Sequence, residues 1–269
     1  MPSIYASNDA LAYEQSMGRW SRRLATPFIK FTGIGNNIQA VLDVGCGTGS
    51  LALALGDAIP SAKIMGLDYS PEFIAFAQSR ADAARYSFEQ GDAVTLPYSS
   101  ASFDAALSLL VLNFLSEPER AIREMARVTR PGGIVAAAVW DFFGGHTFSR
   151  ILLDTAAPLD PGAADLRAKH CSDLTHPGAL ALAWNSAGLR QVRQSEITVR
   201  MDFTKFDDLW EPWLGGQGTL GAYLLGLSEE KRSLIEHHTR QAYLAGASDG
   251  PRSMAATAWV VRGNVPRSD

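Results

Sequence analysis

The stretch VLDVGCGTGS, residues 41–50, decides the fold of this chain. Apolar and acidic residues typical of a strand run directly into Gly45, Gly47 and Gly49. Glycines leave room for a ligand to approach the main chain, and a helix that starts after them presents free N–H groups and a positive dipole end. The stretch therefore predicts a ligand-binding loop between a first strand and a first helix. A tight strand-to-helix turn that binds nothing is the alternative.

Strand and helix patterns alternate along the chain after this loop. The run IVAAAVW at 134–140 has no polar alternation, which is typical of a strand buried on both faces. Alternation of this kind predicts a parallel sheet with crossover helices. The predicted fold is therefore α/β, a seven-stranded mixed sheet with helices on both faces and a helical cap. The last two strands, near 189–201 and 254–262, are expected to pair antiparallel at one edge.

The same patterns divide the chain into four parts. Residues 142–175 are rich in Gly, Pro, Ala and Asp, with room for a short helix. Pro27 allows a break in the N-terminal helix or the start of a new one. The predicted parts are an N-terminal helical cap segment (1–35), a core (36–202), a helical lid insert (203–250), and a final core strand with a tail (251–269).

Composition limits the class of protein. Hydrophobic residues make up 46% of the 269 residues, and the formal net charge of −4 gives no electrostatic case for binding nucleic acid or an anionic membrane. The apolar runs are far shorter than the roughly 20 residues that cross a bilayer, and the N-terminus lacks a signal-peptide pattern. Cys46 and Cys171 form no CxxC pair, so neither a zinc site nor a disulfide framework is predicted. We expect a cytoplasmic protein.

Three nucleotide or cofactor loops were compared with DVGCGTG. A phosphate-binding P-loop needs GK[ST] after its glycines, and no lysine follows here. The dinucleotide fingerprint needs a small Gly or Ala where Ser50 stands, so that match is incomplete. The remaining pattern, acidic-x-G-x-G-x-G, resembles the glycine-rich loop of the class I S-adenosylmethionine-dependent methyltransferases, which have a Rossmann-like fold. The resemblance implies S-adenosylmethionine as the cofactor and excludes nicotinamide dinucleotides.

Two further acidic residues follow predicted strands. Asp68 comes 19 residues after Gly49, and a carboxylate near this spacing accepts hydrogen bonds from ribose hydroxyls. Capping of the next helix is the other role open to Asp68, although Ser70 is better placed for it. In the resembled family, Gly-Asp-Ala after the third strand places an acid beside the adenine amino group, and Asp92 and Ala93 match that motif.

The segments at 96–108 and 123–133 also resemble the family, so the likeness covers about residues 36–141. The branch it resembles includes the quinone and sterol methyltransferases, although Asn113 stands where many relatives carry histidine. The resemblance implies these cofactor-binding residues: Asp43, Gly45, Cys46, Gly47, Gly49, Asp68, Tyr69, Asp92, Ala93 and Leu109.

The acceptor side is predicted from aromatic residues near the cofactor edge of the sheet. Ligands in open α/β sheets bind beyond the carboxyl ends of the strands, and substrate pockets are mostly apolar. Packing in the core is the equal alternative for each aromatic residue. The predicted acceptor-binding residues are Tyr13, Trp20, Asn113, Trp210, Trp213 and Tyr223.

Methyl transfer from a sulfonium needs positioning above all, but an oxygen or nitrogen acceptor can also need a base. His146 follows the fifth strand and is the candidate base, with a surface loop residue as the alternative. Asp141 has no visible partner ligands, so no metal is predicted.

The predicted function is methyl transfer to an O, N or C atom of a small, partly apolar molecule by a monomer or homodimer. A non-catalytic S-adenosylmethionine-binding regulatory protein is the alternative. A macromolecule-modifying methyltransferase is disfavoured, because LLVLNF replaces the NPPY-type tetrapeptide of enzymes that act on nucleic-acid bases.

Overall fold

The computed structural model describes residues 9–170 and 173–267, and within these ranges seven strands form one sheet in the order β3-β2-β1-β4-β5-β7-β6. β1 to β5 are parallel, whereas β7 runs antiparallel to both of its neighbours. The predicted seven-stranded mixed sheet with an antiparallel pair at one edge is confirmed. The strands are β1 (Ala40–Val44), β2 (Lys63–Asp68), β3 (Tyr86–Gln90), β4 (Phe103–Leu109), β5 (Thr129–Trp140), β6 (Arg190–Phe203) and β7 (Arg252–Asn264).

Helices cover both faces of the sheet. Neighbouring residues of β1 enter opposite cores, because Val41 packs into one core and Leu42 into the other. The helices are α1 (Ala10–Tyr13), α2 (Arg19–Thr32), α3 (Ser50–Ala58), α4 (Pro71–Ser79), α5 (Pro118–Val128), α6 (Thr147–Ala156), α7 (Pro161–His170), α8 (Ala179–Ser186), α9 (Phe206–Leu214), α10 (Gly218–Leu225) and α11 (Glu229–Leu244). Helices α5 and α8 contribute to one core, while α2, α3, α6 and the last three helices contribute to the other.

The N-terminal segment is helical but not in the predicted way. A π-helical turn, Glu14–Gly18, joins α1 to α2, and α2 continues through Pro27 to Thr32. The break that Pro27 allows therefore does not occur. Fully buried Leu24 and Phe28 flank the proline, so packing of α2 on the core outweighs the lost hydrogen bond. Residues 1–8 of the predicted cap lie outside the described ranges.

The segment after β5 contains more helix than its composition indicates. Helices α6 and α7 each span ten residues where one short helix was expected. In α6, Phe148, Leu152 and Ala156 recur every four residues and are buried on one face. Glycines and prolines on either side hid this periodicity. Cys171 lies outside the described residues.

Three helices lie between β6 and β7. α9 contacts β6 and the π-helical turn, α10 packs on α9 and α7, and α11 packs on α6 and α9. Arg19 of α2 donates to the Asp208 carboxylate at 2.7 Å, which ties the N-terminal segment to α9. The last three helices are called the lid below.

Candidate functional site

A cavity of about 520 Å³ opens beyond the carboxyl ends of β1, β2 and β4. The strand order reverses between β1 and β4, which is where open α/β sheets bind ligands. Nine of the ten predicted cofactor residues line this cavity: Asp43, Gly45, Cys46, Gly47, Asp68, Tyr69, Asp92, Ala93 and Leu109. The structure thus brings together residues from four separate segments of the chain.

Gly49 is the predicted cofactor residue that does not line the cavity. It is the N-cap of α3 with a φ of 88°, and a Cβ there would lie 3.4 Å from the Cβ of Ala77. Gly47, with a φ of 53°, faces open space, since the nearest atom to a Cβ there would be the Tyr13 hydroxyl at 3.9 Å. Gly49 therefore serves the backbone conformation, while Gly47 both adopts a left-handed φ and leaves room in the cavity.

Asp43 is a fully buried carboxylate that lines the cavity. Neither of its oxygens has a partner with hydrogen-bond geometry. Burial raises its pKa to about 8, the Ala52 backbone amide counteracts this, and the nearby Asp68 carboxylate adds to the rise. A buried carboxylate without a partner is costly, so this position suits a ligand that brings a positive charge.

Asp68 ends β2 and is held by the main chain. Its Oδ2 accepts from the Gly47 amide at 2.8 Å and its Oδ1 from the Ser70 amide at 2.9 Å. Burial raises its pKa despite these hydrogen bonds. Ser70 caps α4, with its hydroxyl accepting from Phe73 N at 3.2 Å, so the capping role belongs to Ser70 as expected. Each carboxylate oxygen keeps a lone pair for a further donor.

The charged residues that line the cavity are all acidic. They are Asp43, Asp68, Glu72 and Asp92, and the lining set, all within the described ranges, includes no lysine, arginine or histidine. The phosphates of a dinucleotide would meet repulsion there. A sulfonium and an ammonium group, together with ribose hydroxyls and an adenine amino group, fit these carboxylates.

The N-terminal segment closes directly onto the glycine-rich loop. The Tyr13 ring packs on Phe73 at 5.0 Å between centroids, and burial raises the pKa of Tyr13 to about 12. The Glu14 carboxylate accepts from the Thr48 hydroxyl, and Arg22 and Arg80 form ion pairs with it. The π-helical turn is thus anchored to the loop that follows β1.

Leu110 carries an unusual backbone at the end of β4. Its φ is 65°, in the left-handed region that disfavours side chains with a Cβ, and its amide donates to Ala138 O at 2.8 Å. The chain turns there into the 3-10 helix Leu112–Phe114, which brings Phe114 to the cavity wall. Such strain is concentrated at functional sites, and no sequence signal pointed to Leu110.

The predicted acceptor residues separate into two groups. Tyr13 lines the large cavity, and Trp213 lines a second pocket of about 50 Å³ beside it. Trp20, Asn113, Trp210 and Tyr223 line neither pocket. Trp20 packs on Phe203, Trp210 packs on Phe206, Asn113 is buried in its 3-10 helix, and Tyr223 donates to Asp160 at 3.0 Å. We therefore assign these four to packing, since each already fills a structural position.

His146 does not reach the large cavity, which corrects its assignment as the base. His146 is fully buried, so it is not the surface loop residue that the sequence left as the alternative. Its ring packs against Trp140 and Phe142, with centroids 5.0 and 5.2 Å apart. Its Nδ1 lies 2.7 Å from Ser149 Oγ. The chain returns after β5 and places His146 behind Trp140, which itself lines the cavity.

Met17 and Phe114 line both pockets and were not predicted from the sequence. Both are apolar residues at helical positions, so their pattern does not differ from that of core residues.

In the described part of the chain, no group of three or more His, Cys, Asp or Glu could hold a metal ion. No helix there has the length and apolar character needed to span a bilayer.

The strand order, the glycine-rich loop with Asp43, and the two further acids at strand ends agree with the features on which the resemblance to class I S-adenosylmethionine-dependent methyltransferases rests. Residues 42–137 match a family of methyltransferase domains. This part of the chain is therefore similar to methyltransferase domains, in agreement with the class that the sequence resembles.

Individual relatives resemble the chain to different extents. A demethylmenaquinone methyltransferase of Deinococcus radiodurans is 37% identical over 102 residues, which are 37% of this chain and 42% of that protein. An uncharacterised protein of Mycobacterium tuberculosis is 27% identical over 211 residues, 76% of this chain and 75% of its own length. The chain thus spans less than half of the first of these relatives.

A solved structure confirms the fold. Phosphoethanolamine N-methyltransferase 2 of Haemonchus contortus, in complex with phosphomonomethylethanolamine and S-adenosylhomocysteine, has a TM-score of 0.61 to this chain at 15% identity. The match covers 96% of this chain and 57% of that one. At this identity the likeness concerns the fold alone.

Proposed function

We propose that this protein transfers the methyl group of S-adenosylmethionine to an O, N or C atom of a small, partly apolar molecule and releases S-adenosylhomocysteine. The observation that carries the proposal is the buried carboxylate of Asp43, which lines the large cavity and has the Ala52 amide near it but no positively charged partner among the described residues. An ammonium group on the cofactor's methionine part would supply the missing partner. The match of residues 42–137 to methyltransferase domains supports the same reaction.

The other lining residues suit the rest of the cofactor. Asp68 is placed for the ribose hydroxyls, because its oxygens are oriented by the Gly47 and Ser70 amides. Asp92 and Ala93 line the same cavity and suit the adenine ring. When bound, the cofactor supplies a methyl group already activated on a sulfonium. The protein's contribution is then to hold the acceptor in line with that group and to exclude water.

The acceptor side of the cavity is apolar. Met17, Leu110, Val111, Phe114 and Trp140 line it and carry no charge. Apolar walls with a few polar groups are typical of sites for small molecules. A protein that only sensed the cofactor would not need this space beyond the cofactor residues, so the lining favours an enzyme over the regulatory alternative.

The acidic lining of the cavity also indicates which class of acceptor the protein binds. The cavity is lined by carboxylates, which repel a nucleic-acid backbone, so we infer a small-molecule acceptor. We also infer that the protein acts in the cytoplasm as a monomer or homodimer, as the sequence predicts.

The test is incubation of the protein with methyl-labelled S-adenosylmethionine and a panel of small aromatic and aliphatic acceptors. The proposal expects S-adenosylhomocysteine to form with at least one acceptor, and label to appear in that molecule. An Asp43→Asn protein serves as the matched control, since it keeps the shape of the side chain and should lose turnover. Cofactor binding without transfer to any acceptor would favour the regulatory alternative.

A further inference from the structure

The second pocket lies between the N-terminal segment, α6 and the lid, and has a volume of about 50 Å³. It shares Met17 and Phe114 with the large cavity, so the two spaces adjoin at these two side chains. A water needs only about 10–15 Å³ of such volume. The pocket can therefore take a substituent of a ligand whose body lies in the large cavity. Its lining is Ser16, Met17, Phe114, Phe148, Ser149, Trp213, Gln217, Gly218, Thr219 and Leu220.

The lining of this pocket is uncharged. None of its residues, all inside the described ranges, is acidic, basic or a histidine. Its aromatic wall is well packed, with Phe148 4.9 Å from Trp213 between ring centroids. A cation or anion placed there would be buried without an oppositely charged partner, which is strongly unfavourable. The pocket therefore suits a neutral group.

Polar atoms in the pocket indicate what that neutral group carries. Trp213 is 2% exposed, and its indole N–H has no hydrogen-bond partner in the structure. Ser149 is buried, and its hydroxyl is held by Nδ1 of His146 at 2.7 Å. A buried donor without a partner is unfavourable and calls for an explanation. An oxygen atom of a ligand in this pocket would accept from the indole.

We propose that the second pocket recognises the acceptor itself, by binding a neutral, oxygen-bearing end of that molecule. This rests on the proposed function. The Trp213 N–H selects an oxygen that accepts a hydrogen bond, Ser149 is positioned for the same end by His146, and the body of the acceptor lies in the large cavity, beyond Met17 and Phe114. Trp213 is a specificity residue for ketone, ether or hydroxyl acceptors, and protonated amines are excluded.

The test compares two probes with one ring skeleton, 1-tetralone and 1-aminotetralin, at a pH where the amine is protonated. Calorimetric titrations use the protein saturated with S-adenosylhomocysteine. The proposal expects 1-tetralone to bind, and the ammonium compound to bind at least tenfold more weakly. Trp213→Phe should weaken the binding of 1-tetralone about two- to tenfold, which is the range expected for the loss of one ordinary hydrogen bond.

Trp210→Phe is the matched control. Trp210 lies on the same helix, is 3% exposed and also has an unpartnered indole N–H, but it lines neither pocket. Its replacement should leave the affinity for 1-tetralone unchanged. Equal effects of the two substitutions, equal binding of the two probes, or no binding of 1-tetralone at its solubility limit would overturn the proposal. The comparison of probes needs no variant, so it holds even if Trp213→Phe fails to fold.

A titration with S-adenosylhomocysteine precedes these measurements. It distinguishes a failure of the proposed function from a failure of the second-pocket assignment. If that ligand does not bind, the proposed function is wrong. If it binds and the tetralone results fail, only the assignment of the second pocket is wrong.

Discussion

Asp68 and Gly47 are joined by a hydrogen bond of 2.8 Å between the carboxylate Oδ2 and the backbone amide. The bond connects the end of β2 to the glycine-rich loop after β1. The residue placed for the ribose therefore also fixes the loop that borders the rest of the cavity. A substitution at Asp68 should therefore affect both the proposed ribose contact and the position of the glycine-rich loop.

Asp68→Ala should weaken the binding of S-adenosylhomocysteine at least tenfold. It removes charge-assisted hydrogen bonds, each worth about 1.5–3 kcal/mol, and about 1.4 kcal/mol corresponds to a factor of ten. Calorimetry measures the dissociation constant. Asp57→Ala, which removes an exposed carboxylate of α3, is the control and should have no effect. Unchanged affinity in a folded Asp68→Ala protein would remove Asp68 from the site.

Substitutions at Gly47 and Gly49 should have different effects. Gly47→Val places a branched side chain where the cavity is open and should abolish cofactor binding. Gly49→Ala is expected mainly to lower the melting temperature, because a left-handed φ costs a non-glycine residue about 1–2 kcal/mol. Circular dichroism, thermal melting and calorimetry distinguish the two results. Normal cofactor affinity in a folded Gly47→Val protein would contradict the assignment of the loop.

The stability of the ligand-free protein should depend on pH through Asp43. The folded pKa is about 8 and the reference value 3.8, so between these values the folded chain holds a proton that the unfolded chain has lost. The stabilisation from this proton is complete below pH 3.8 and is lost as the pH rises through about 8. Melting temperatures of the parent should therefore fall relative to Asp43→Asn as the pH rises from about 4 to about 8, and the difference should level off above pH 8. Parallel pH profiles of the two proteins would show that Asp43 does not titrate in this way.

Closure of the N-terminal segment should depend on Glu14 and on the absence of a side chain at Gly18. A Cβ at Gly18 would collide with the Glu14 carboxylate, which holds the Thr48 hydroxyl. Gly18→Ala and Glu14→Gln should both weaken cofactor binding by about three- to tenfold, as expected for a partly exposed charge-assisted contact. They should also expose the segment to limited proteolysis.

Glu117→Gln is a suitable control for closure, because it alters an exposed ion pair with Arg120 and Glu117 does not line the cavity. The closure hypothesis fails if Gly18→Ala binds the cofactor and resists protease like the parent.

The residues proposed to bind the cofactor could be brought together from the sequence because they stand at the ends of strands in continuous motifs. Asp43, Asp68 and Asp92 each follow or end a strand, and parallel strands bring such ends to one edge of the sheet. The role of Gly49 was not predictable, because spacing cannot separate a glycine needed for its φ from one needed for space.

The acceptor half was less predictable. Trp210 and Trp213 lie three residues apart on α9, yet only Trp213 lines a pocket, since the packing of the lid decides which ring faces it. His146 follows β5 as expected, but the short return of the chain buries it behind Trp140. The sequence did not identify Met17 and Phe114 as residues that line the pockets, because an apolar residue at helical spacing is typical of any core.

The central claim is that Asp43 and the acidic cavity bind S-adenosylmethionine, and calorimetry of the parent and Asp43→Asn proteins tests it most directly. The account predicts that the parent binds S-adenosylmethionine and not a nicotinamide dinucleotide. It also predicts that Asp43→Asn, still folded, binds S-adenosylmethionine at least tenfold more weakly, since a charge-assisted contact is worth about 1.5–3 kcal/mol. Equal affinity of the two folded proteins, or no binding by the parent, would contradict it.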